Sequence, residues 1–350
     1  MSPRRIPRRE VLRGAAIASA GVALGGVGVN LLLRPDRPWD ASVFAAPGRA
    51  RVAVVHASSY EGLEAIVLDG LRAVGADLSG RSVLLKPNLV EYDASTAINT
   101  DPRLVAATVL AARRLGARSV VVGEGPGHRR DLEYVVTASG LLDVLTAVDA
   151  PFVDLNTAAI VRQPLHSSFT SLGELWLPAP VVEADVVVSM PKMKTHHWAG
   201  ATLSMKNCFG CVPGRIYGWP KNVLHWAGLN EAIVDVAAGV RPELQIVDGI
   251  VGMEGNGPIQ GTPVRAGLLV FGNDPVATDV TAASLMGLDP MRLPSIAEAA
   301  RFLGQGDPSE ITQLGEPVAS NVHRFEVLPR FASLEAGSAP SSGSLEGGPA

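Results

Sequence analysis

Short apolar runs alternate with stretches of helical periodicity along the chain, from about residue 50 to about residue 275. The runs are rich in β-branched residues and are bounded by glycine, proline or polar turns, which is typical of buried strands. Apolar strands that alternate with helices indicate parallel strands covered on both faces. The predicted strands lie at 51–58, 82–88, 119–127, 152–156, 184–192, 243–250 and 266–274.

Helical segments fill the spaces between the first strands. One runs over 61–74, and a second begins after Asp101, an N-cap residue followed by Pro102 at the first helical position. The second helix ends at Gly116, and further helical segments extend to about residue 145. We therefore predict an α/β fold, a three-layer sandwich around a mainly parallel, Rossmann-like sheet.

The two ends of the chain fall outside this alternation. Arg8 and Arg9 precede an uncharged stretch at 14–33, a pattern typical of a twin-arginine (Tat) export signal, with an uncleaved membrane anchor as the alternative. The C-terminal segment is rich in glycine, serine and proline and is predicted to be flexible. The predicted parts are a signal or anchor with its linker at 1–48, an α/β domain at 49–330 and a tail at 331–350.

The predicted Tat signal also implies a partner and a cellular location. The Tat translocase is the expected partner during export, and the mature protein is expected in the periplasm or another extracytoplasmic space. Contact with the membrane is expected only through the N-terminal segment, if that segment stays uncleaved.

Composition and charge narrow the class of protein. Of the 350 residues 47% are hydrophobic and 18% charged, which suits a large folded domain and argues against a disordered chain. The net charge is −4, and no basic block interleaves with aromatic residues, so no nucleic-acid partner is expected. The two cysteines, Cys208 and Cys211, are too few for a four-cysteine iron–sulfur cluster.

Polar residues follow five of the predicted strands directly. Ligands of open parallel sheets bind at the carboxyl ends of the strands, so we expect these side chains to meet at one edge. Lysine is a point charge suited to carboxylate and phosphate, which predicts a pocket for an anionic small molecule. The strand-end residues are Lys86 and Asn88, then Glu124 and Gly125, then Lys192, Lys194, His196 and His197, then Asp248, and finally Asp274.

The segment PKMKTHHWAGATLSMKNCFGCVPG, residues 191–214, holds most of this chemistry and is expected to cross above the strand ends as a loop. Lys221, which follows it, is expected to be exposed. The candidate catalytic residues are His196, Lys206 and Glu254. The candidate ligand-binding residues are Lys86, Asn88, Glu124, Gly125, Lys192, Lys194, Asn207 and Asn256. The candidate ligands of a divalent metal are His197 and Asp248.

Three motifs keep alternative interpretations. GEGPG, at 123–127, can present backbone N–H groups to an anion or can be a tight turn that needs glycine. Cys208 and Cys211 can bind zinc together with His225, form a disulfide after export, or pack as buried thiols. Asp274, followed by proline, has the pattern of a helix N-cap and is a weak candidate for a metal ligand.

Several motifs together resemble those of a known family. LLKPNLV, GEGPG, the segment 191–214, DGIVGMEGNGP and GNDPVATD are similar to the successive motifs of the DUF362 family, a domain of unknown function. The resemblance covers about 51–305 and implies little about activity. Some members carry ferredoxin-type clusters beside this domain, but this chain lacks their cysteines, so no iron–sulfur cluster is expected.

The leading interpretation is an exported enzyme that acts on an anionic small molecule. Strand-end lysines would hold the anion, while a histidine and carboxylates handle protons or a divalent metal. A non-catalytic ligand-binding protein and a cofactor-handling or redox-accessory protein are the two alternatives.

The export prediction can be tested on the arginine pair itself. Replacing both Arg8 and Arg9 with lysine is expected to leave the protein in the cytoplasm, because the Tat pathway reads the twin arginine. Cell fractionation followed by immunoblotting measures the distribution. Normal export of the unaltered protein in a Tat-deficient strain would contradict the prediction.

Overall fold

The computed structural model of the chain describes residues 37–127 and 131–338. The predicted export signal therefore lies outside the described residues, as does most of the predicted tail. Among the described residues, none of the helices is long and apolar enough to cross a membrane.

Within these residues, eleven strands form one sheet and two more form a separate antiparallel hairpin, β5 with β6. Each segment that the sequence predicts as a strand contains a strand in the structure. The strands are β1 (Ala50–His56), β2 (Ser82–Pro87), β3 (Ser119–Glu124), β4 (Phe152–Asp154), β5 (Ile160–Pro164), β6 (Glu174–Pro178), β7 (Val186–Met190), β8 (Lys192–His196), β9 (Gly200–Thr202), β10 (Leu244–Asn256), β11 (Gln260–Val264), β12 (Leu268–Gly272) and β13 (Ile311–Gly315).

Helices cover both faces of the sheet. The described α-helices are α1 (Leu63–Ala73), α2 (Pro102–Arg114), α3 (Leu132–Ala138), α4 (Leu141–Ala147), α5 (Ala179–Glu183), α6 (Ser204–Asn207), α7 (Gly214–Tyr217), α8 (Asn222–Trp226), α9 (Leu229–Val240), α10 (Pro275–Leu285) and α11 (Pro294–Ala299). Short 3₁₀ turns lie at Cys208–Cys211, Pro290–Arg292, Pro308–Glu310, Val318–Ser320 and Pro329–Leu334.

Alternate residues of the strands feed two separate apolar cores. On β2, Val83 and Leu85 pack with helices α1 to α4, whereas Leu84 packs on the opposite face with α9, α10 and α11. This alternation follows from the two-residue period of a strand. The predicted three-layer α/β sandwich is thereby confirmed.

The main path of the sheet has the order β13-β1-β12-β10-β7-β2-β3-β4. Seven of these eight described strands run in one direction, and β12 is antiparallel to both of its neighbours. The carboxyl end of β12 therefore lies at the opposite edge from the carboxyl ends of the other seven.

The direction of β12 removes Asp274 from the expected group of strand-end residues. The Asp274 carboxylate caps α10, accepting hydrogen bonds from the backbone N–H groups of Val276 and Ala277, and it also accepts one from Gln305 N. Its role is structural, as the N-cap pattern indicated.

The sequence predicts that the segment 191–214 is a loop above the strand ends, and this is wrong. Lys192–His196 forms strand β8, which runs parallel to the second half of the long strand β10 and antiparallel to β9. Helix α6 and a 3₁₀ turn then complete the segment. The sheet itself therefore extends beneath the polar residues and holds them rigidly.

Packed structure extends beyond the predicted domain bounds of 49 and 330. The ring of Trp39 stacks on Phe302 at a centroid distance of 4.9 Å, and Phe44 meets the same ring edge-on at 4.9 Å. At the other end, Phe331 and Leu334 are buried. Residues on both sides of the predicted domain thus contribute to its core.

A buried ion pair ties β8 to β10. Lys192 Nζ donates to Asp248 Oδ2 at 2.6 Å and to the Tyr60 hydroxyl at 3.1 Å. Tyr60 in turn donates to Asp248 Oδ1 at 2.8 Å, and the backbone N–H of Asp101 donates to Asp248 Oδ2. Both charged side chains are at most 2% exposed. The pair therefore joins four segments of the chain inside the protein.

We expect this pair to stabilise the fold. Lys192→Met leaves the Asp248 carboxylate buried without its cation, which is expected to lower the free energy of unfolding by about 3–5 kcal/mol. Urea titration followed by circular dichroism measures the change. Arg72→Met is the matched control, since Arg72 forms an exposed ion pair with Asp69 and its loss should leave stability nearly unchanged. Equal effects of the two substitutions would show that the buried pair adds nothing.

Candidate functional site

A cavity of about 620 Å³ opens at the carboxyl ends of β2 and β3 and runs along β8. Its volume suits a small organic molecule. The polar lining residues are Lys86, Asn88, Glu91, Glu124, Lys194, His196, His197, Thr202, Lys206, Asn207, Lys221, His225, Asn256 and Gln260, and the apolar walls include Leu89, Val90, Pro126, Trp198, Phe209, Pro220, Pro258 and Ile259.

The use of lysine in this chain is unusual. The sequence contains five lysines and twenty-five arginines, and all five lysines lie between residues 86 and 221. Lysine is almost never fully buried in proteins, yet four of the five are at most 2% exposed and the fifth is partly buried. Lys192 belongs to the ion pair with Asp248, and the other four line the cavity: Lys86, Lys194, Lys206 and Lys221.

Lys86 is neutralised by Glu124. Its ammonium donates to Glu124 Oε2 at 2.7 Å, to Asn207 Oδ1 at 3.1 Å and to the Pro87 carbonyl at 2.6 Å. All three ammonium hydrogens thus have acceptors, and both charged side chains are 1% exposed. The register of β2 and β3 brings the two strand ends side by side, which places the pair at the base of the cavity.

Two glycines allow the chain to close over this pair. A Cβ on Gly210 would lie 2.0 Å from Glu124 Oε1 and 2.5 Å from Lys86 Nζ, so a larger residue would force these side chains to move. A Cβ on Gly125 would lie 2.8 Å from the Gly210 carbonyl oxygen. The Gly125 N–H donates to Glu124 Oε1 at 2.8 Å. Gly125 therefore serves close packing around Glu124, and its N–H is not presented to a ligand.

Lys194 and Lys221 are held by carbonyl oxygens. Lys194 Nζ donates to the Ile98 carbonyl at 2.8 Å and to the Pro258 carbonyl at 3.3 Å. Lys221 Nζ donates to the carbonyls of Gly125 and Val212. No carboxylate of the described residues forms an ion pair with either ammonium.

The pKa values of these two lysines follow from their surroundings. Burial, together with the charges of Lys192 and Lys206, lowers the pKa of Lys194 well below its usual value. Burial lowers the pKa of Lys221 to about 7. The carbonyl oxygens act in the opposite direction, because they bind the ammonium form.

Lys206 is different from the other four. Among the described residues no hydrogen-bond acceptor reaches its ammonium, which lies 4.0 Å from the centre of the Phe209 ring. Burial and the neighbouring charge of Lys86 lower the pKa of Lys206 to about 7. This side chain therefore presents an amine to the cavity that is half neutral near pH 7.

His196 is fixed as a hydrogen-bond donor. Its Nδ1 accepts from the backbone N–H groups of Trp198 at 3.0 Å and Ala199 at 3.2 Å. The ring hydrogen of the neutral imidazole must then be on Nε2. Burial, followed by the charge of Lys206, lowers the pKa of His196 well below its usual value. The ring lines the cavity as a neutral donor and does not accept protons near pH 7.

His225 has the opposite tautomer. Its Nδ1 lies 3.1 Å from the Lys221 carbonyl oxygen, which can only accept, so Nδ1 carries the hydrogen and Nε2 keeps a lone pair. Burial and the charge of Lys206 lower the pKa of His225. The Phe209 ring meets the His225 ring at a right angle. His225 is therefore a candidate proton acceptor close to Lys206.

Two buried polar atoms of the cavity wall lack partners among the described residues. They are Oδ1 of Asn88 and Oγ1 of Thr202. The Asn88 amide N–H donates to Asn207 Oδ1 at 3.2 Å, which orients the side chain. Buried polar groups are nearly always hydrogen-bonded, so unsatisfied atoms in a cavity wall indicate a place for polar groups of a ligand.

A carboxylate on α10 supports the helix that carries Lys206 and Asn207. Asp279 accepts from the backbone N–H groups of Ser204 at 2.7 Å and Met205 at 3.0 Å, at the start of α6. It thereby fixes the turn that faces the cavity. Burial raises the pKa of Asp279 to about 7, while the two N–H groups oppose that shift.

Four of the predicted site residues are placed away from the centre of the cavity. Lys192 and Asp248 form the buried pair described above, and both Asp248 oxygens already accept hydrogen bonds. Glu254 accepts from the backbone N–H of Glu326 at 2.9 Å, outside the cavity. Asn256 lies at the exposed rim, where it donates to Gln260. Glu254 and Asp248 thus serve local structure, although sequence spacing had grouped them with the site.

The candidate metal ligands do not come together. His197 lines the cavity, but Asp248 is engaged with Lys192. In the part of the chain that the structure describes, no three histidine, cysteine, aspartate or glutamate side chains are grouped to hold a metal ion. Cys208 and Cys211 are buried free thiols, and burial raises the pKa of both, to about 12 for Cys211.

Sequence reasoning missed Lys221, Thr202 and the aromatic wall. Lys221 was expected to be exposed, and this is wrong because its side chain turns inward to the carbonyls of Gly125 and Val212. The scarcity of lysine was the available signal. Arginine supplies twenty-five of the thirty lysine and arginine residues, so the five lysines stand out as candidate site residues.

Comparison with known proteins identifies relatives of the chain. The model of the DUF362 family, described as a domain of unknown function, matches residues 83–284, a narrower span than the motif resemblance. A thylakoid-associated protein of Synechocystis sp. is 32% identical over 278 residues, which are 75% of this chain and 82% of that protein.

Two solved structures share a distant likeness with the chain. One is the lactate racemase apoprotein from Thermoanaerobacterium thermosaccharolyticum, with a TM-score of 0.41 and 14% identity over 65% of this chain and 55% of that one. The other is a protein from Thermotoga maritima, with a TM-score of 0.33 and 13% identity over 63% and 57%. The matches span little more than half of each of those chains, and likenesses of this size say nothing about activity.

The closure over the Lys86–Glu124 pair can be tested at Gly210. Gly210→Ala places a methyl group against both charged side chains and is expected to lower the free energy of unfolding by about 1–3 kcal/mol. Gly48→Ala is the control, since a Cβ at Gly48 meets nothing within 4 Å. Urea titration compares the two variants. A Gly210→Ala protein as stable as the control would show that the pair can move aside freely.

Proposed function

The chain belongs to the DUF362 family, and we propose that it is an enzyme acting on an anionic small molecule that binds in the lysine-lined cavity. One observation carries the proposal. Three lysines of the cavity, Lys194, Lys206 and Lys221, have no carboxylate partner among the described residues, although they are largely removed from water.

An anion in the cavity would supply the missing negative charge. Neighbouring ammonium groups in a medium of low dielectric repel one another, and this repulsion contributes to the lowered pKa values of Lys194 and Lys206. A bound carboxylate or phosphate would relieve the repulsion and accept hydrogen bonds from Lys206 and His196. Each charge-assisted contact of this kind contributes about 1.5–3 kcal/mol.

Donors and acceptors of protons lie in the same cavity, which favours catalysis over simple binding. Lys206 is half neutral near pH 7, and His225 keeps a lone pair on Nε2, so both can accept a proton. His196 offers an N–H that it does not give up, which suits stabilisation of negative charge that develops on a substrate oxygen.

The predicted Tat signal at the N-terminus supports a proposal about where the protein acts. We propose that the protein works outside the cytoplasm after export by the Tat translocase. The thylakoid-associated relative supports a location at or across a membrane.

We expect the protein to take up a proton when it binds an anion. Free Lys206 is mostly neutral at pH 8, and a bound anion raises the pKa of its amine, so the complex gains a proton. Affinity should therefore fall as pH rises above about 7, by up to about tenfold per pH unit. Isothermal titration calorimetry with benzoate, oxalate and inorganic phosphate, in two buffers of different ionisation enthalpy, counts the protons.

Lys206→Met is expected to weaken binding about tenfold to a hundredfold and to abolish the proton uptake. The exposed Arg72→Met serves as the control and should bind as the unaltered protein does. Absence of binding for every anion tested, or equal binding by the Lys206→Met protein, would refute the proposal.

A further inference from the structure

We propose that Lys206 is a nucleophile that forms an imine with the aldehyde or ketone group of an anionic carbonyl compound. This inference rests on the proposed function, because the positive charge of the cavity attracts the anionic group of the same compound. It adds the class of substrate and the reaction of one named atom, Lys206 Nζ.

The contacts of the five lysines single out Lys206. Lys86 and Lys192 are neutralised by carboxylates, while Lys194 and Lys221 donate to backbone carbonyls. Hydrogen bonds to such acceptors hold the nitrogen in place and favour its ammonium form, which opposes attack on a carbonyl carbon even where burial lowers the pKa of the lysine. Lys206 has no acceptor among the described residues and lies above the Phe209 ring in the cavity wall. Its nitrogen is therefore available to a ligand.

The charge state of Lys206 fits this role. A lysine becomes a useful nucleophile when an apolar environment or a neighbouring cation lowers its pKa. Both conditions hold here, since burial and the charge of Lys86 bring the pKa from 10.5 to about 7. The Phe209 face favours the ammonium form weakly and does not outweigh them. Near pH 7 the fraction of neutral amine is about a thousandfold larger than for an ordinary lysine.

The reaction balances without an oxidant or a second substrate. The Lys206 lone pair attacks the carbonyl carbon, a C–N bond forms, and the carbonyl electron pair moves to oxygen. The two protons of the neutral amine leave with that oxygen as water when the C–O bond breaks, which gives the C=N bond. His225 Nε2 can carry the protons from nitrogen to oxygen, and the His196 N–H stabilises the oxyanion.

The cavity wall adds a preference for planar compounds. Phe209, Trp198 and His225 form a connected aromatic surface, with centroid distances of 5.3 Å between Trp198 and His225 and 6.1 Å between Phe209 and His225. An aromatic or conjugated carbonyl compound with a carboxylate or phosphate matches both the charge and this surface. A carbonyl captures the neutral amine, whereas a simple anion favours the ammonium form, which takes its proton from the solvent.

Reductive trapping tests the inference. The protein is incubated with 4-carboxybenzaldehyde and sodium cyanoborohydride, which reduces an imine to a stable secondary amine, and peptide mapping by mass spectrometry locates the adduct. The background is low because the chain has five lysines and its N-terminus as amines. We expect modification of Lys206 ahead of every other amine, and none at position 206 in Lys206→Arg, which keeps the charge of the side chain.

The pH dependence separates Lys206 from an ordinary amine. The labelling rate should rise up to about pH 7 and then level off, since the amine is then fully neutral, whereas a lysine of normal pKa would keep reacting faster up to about pH 10. Benzaldehyde, which lacks the carboxylate, should react more slowly by a factor of about ten or more.

A compound without the carbonyl distinguishes this inference from the proposed function. Thermal denaturation with 4-(hydroxymethyl)benzoate reports anion binding alone. If that compound stabilises the protein but the aldehyde leaves no adduct on Lys206, the imine is refuted and the anion site stands. If neither it nor any of benzoate, oxalate and inorganic phosphate binds, the proposed function fails. Adducts spread over the other lysines or the N-terminus, with none on Lys206, would also overturn the inference.

Discussion

The burial of ammonium groups is the constraint on which the centre of this protein depends. A charge removed from water is costly unless it is paired or hydrogen-bonded. Four of the five lysines meet this requirement: Lys86 and Lys192 through carboxylates, and Lys194 and Lys221 through backbone carbonyls. Lys206 alone among the five has no such partner in the described chain. Four buried ammonium groups are thus compensated by atoms of the protein, and the fifth would be compensated by an anionic ligand.

The fold provides the rigidity that this arrangement needs. The parallel strands β2 and β3 bring Lys86 and Glu124 together, and the glycine at position 210 lets the following turn close over them. Asp279, from the helix after β12, fixes the start of the turn that carries Lys206. Small changes in these supporting residues should therefore alter the charge state of an amine that they do not touch.

The sequence predicts the layers of this fold better than the members of its site. Apolar runs locate strands because burial on both faces requires them, but such a run does not encode direction, so the antiparallel β12 and the position of Asp274 could not be foreseen. Because side chains alternate along a strand, the sequence correctly places Lys192 and Lys194 on the same face of β8. It does not tell where long side chains end: Lys192 Nζ reaches the Asp248 carboxylate, whereas Lys194 Nζ reaches the carbonyls of Ile98 and Pro258.

The distribution of lysine has a consequence for the chemistry that other molecules can perform on this protein. Exposed cations of the folded chain are arginines, so reagents and enzymes that act on lysine side chains find almost nothing on its surface. A protease that cleaves after lysine, an acetyl donor or an amine cross-linker would reach four of the five lysines only after the chain opens. The reactivity of these four lysines toward such agents is thus a direct measure of unfolding.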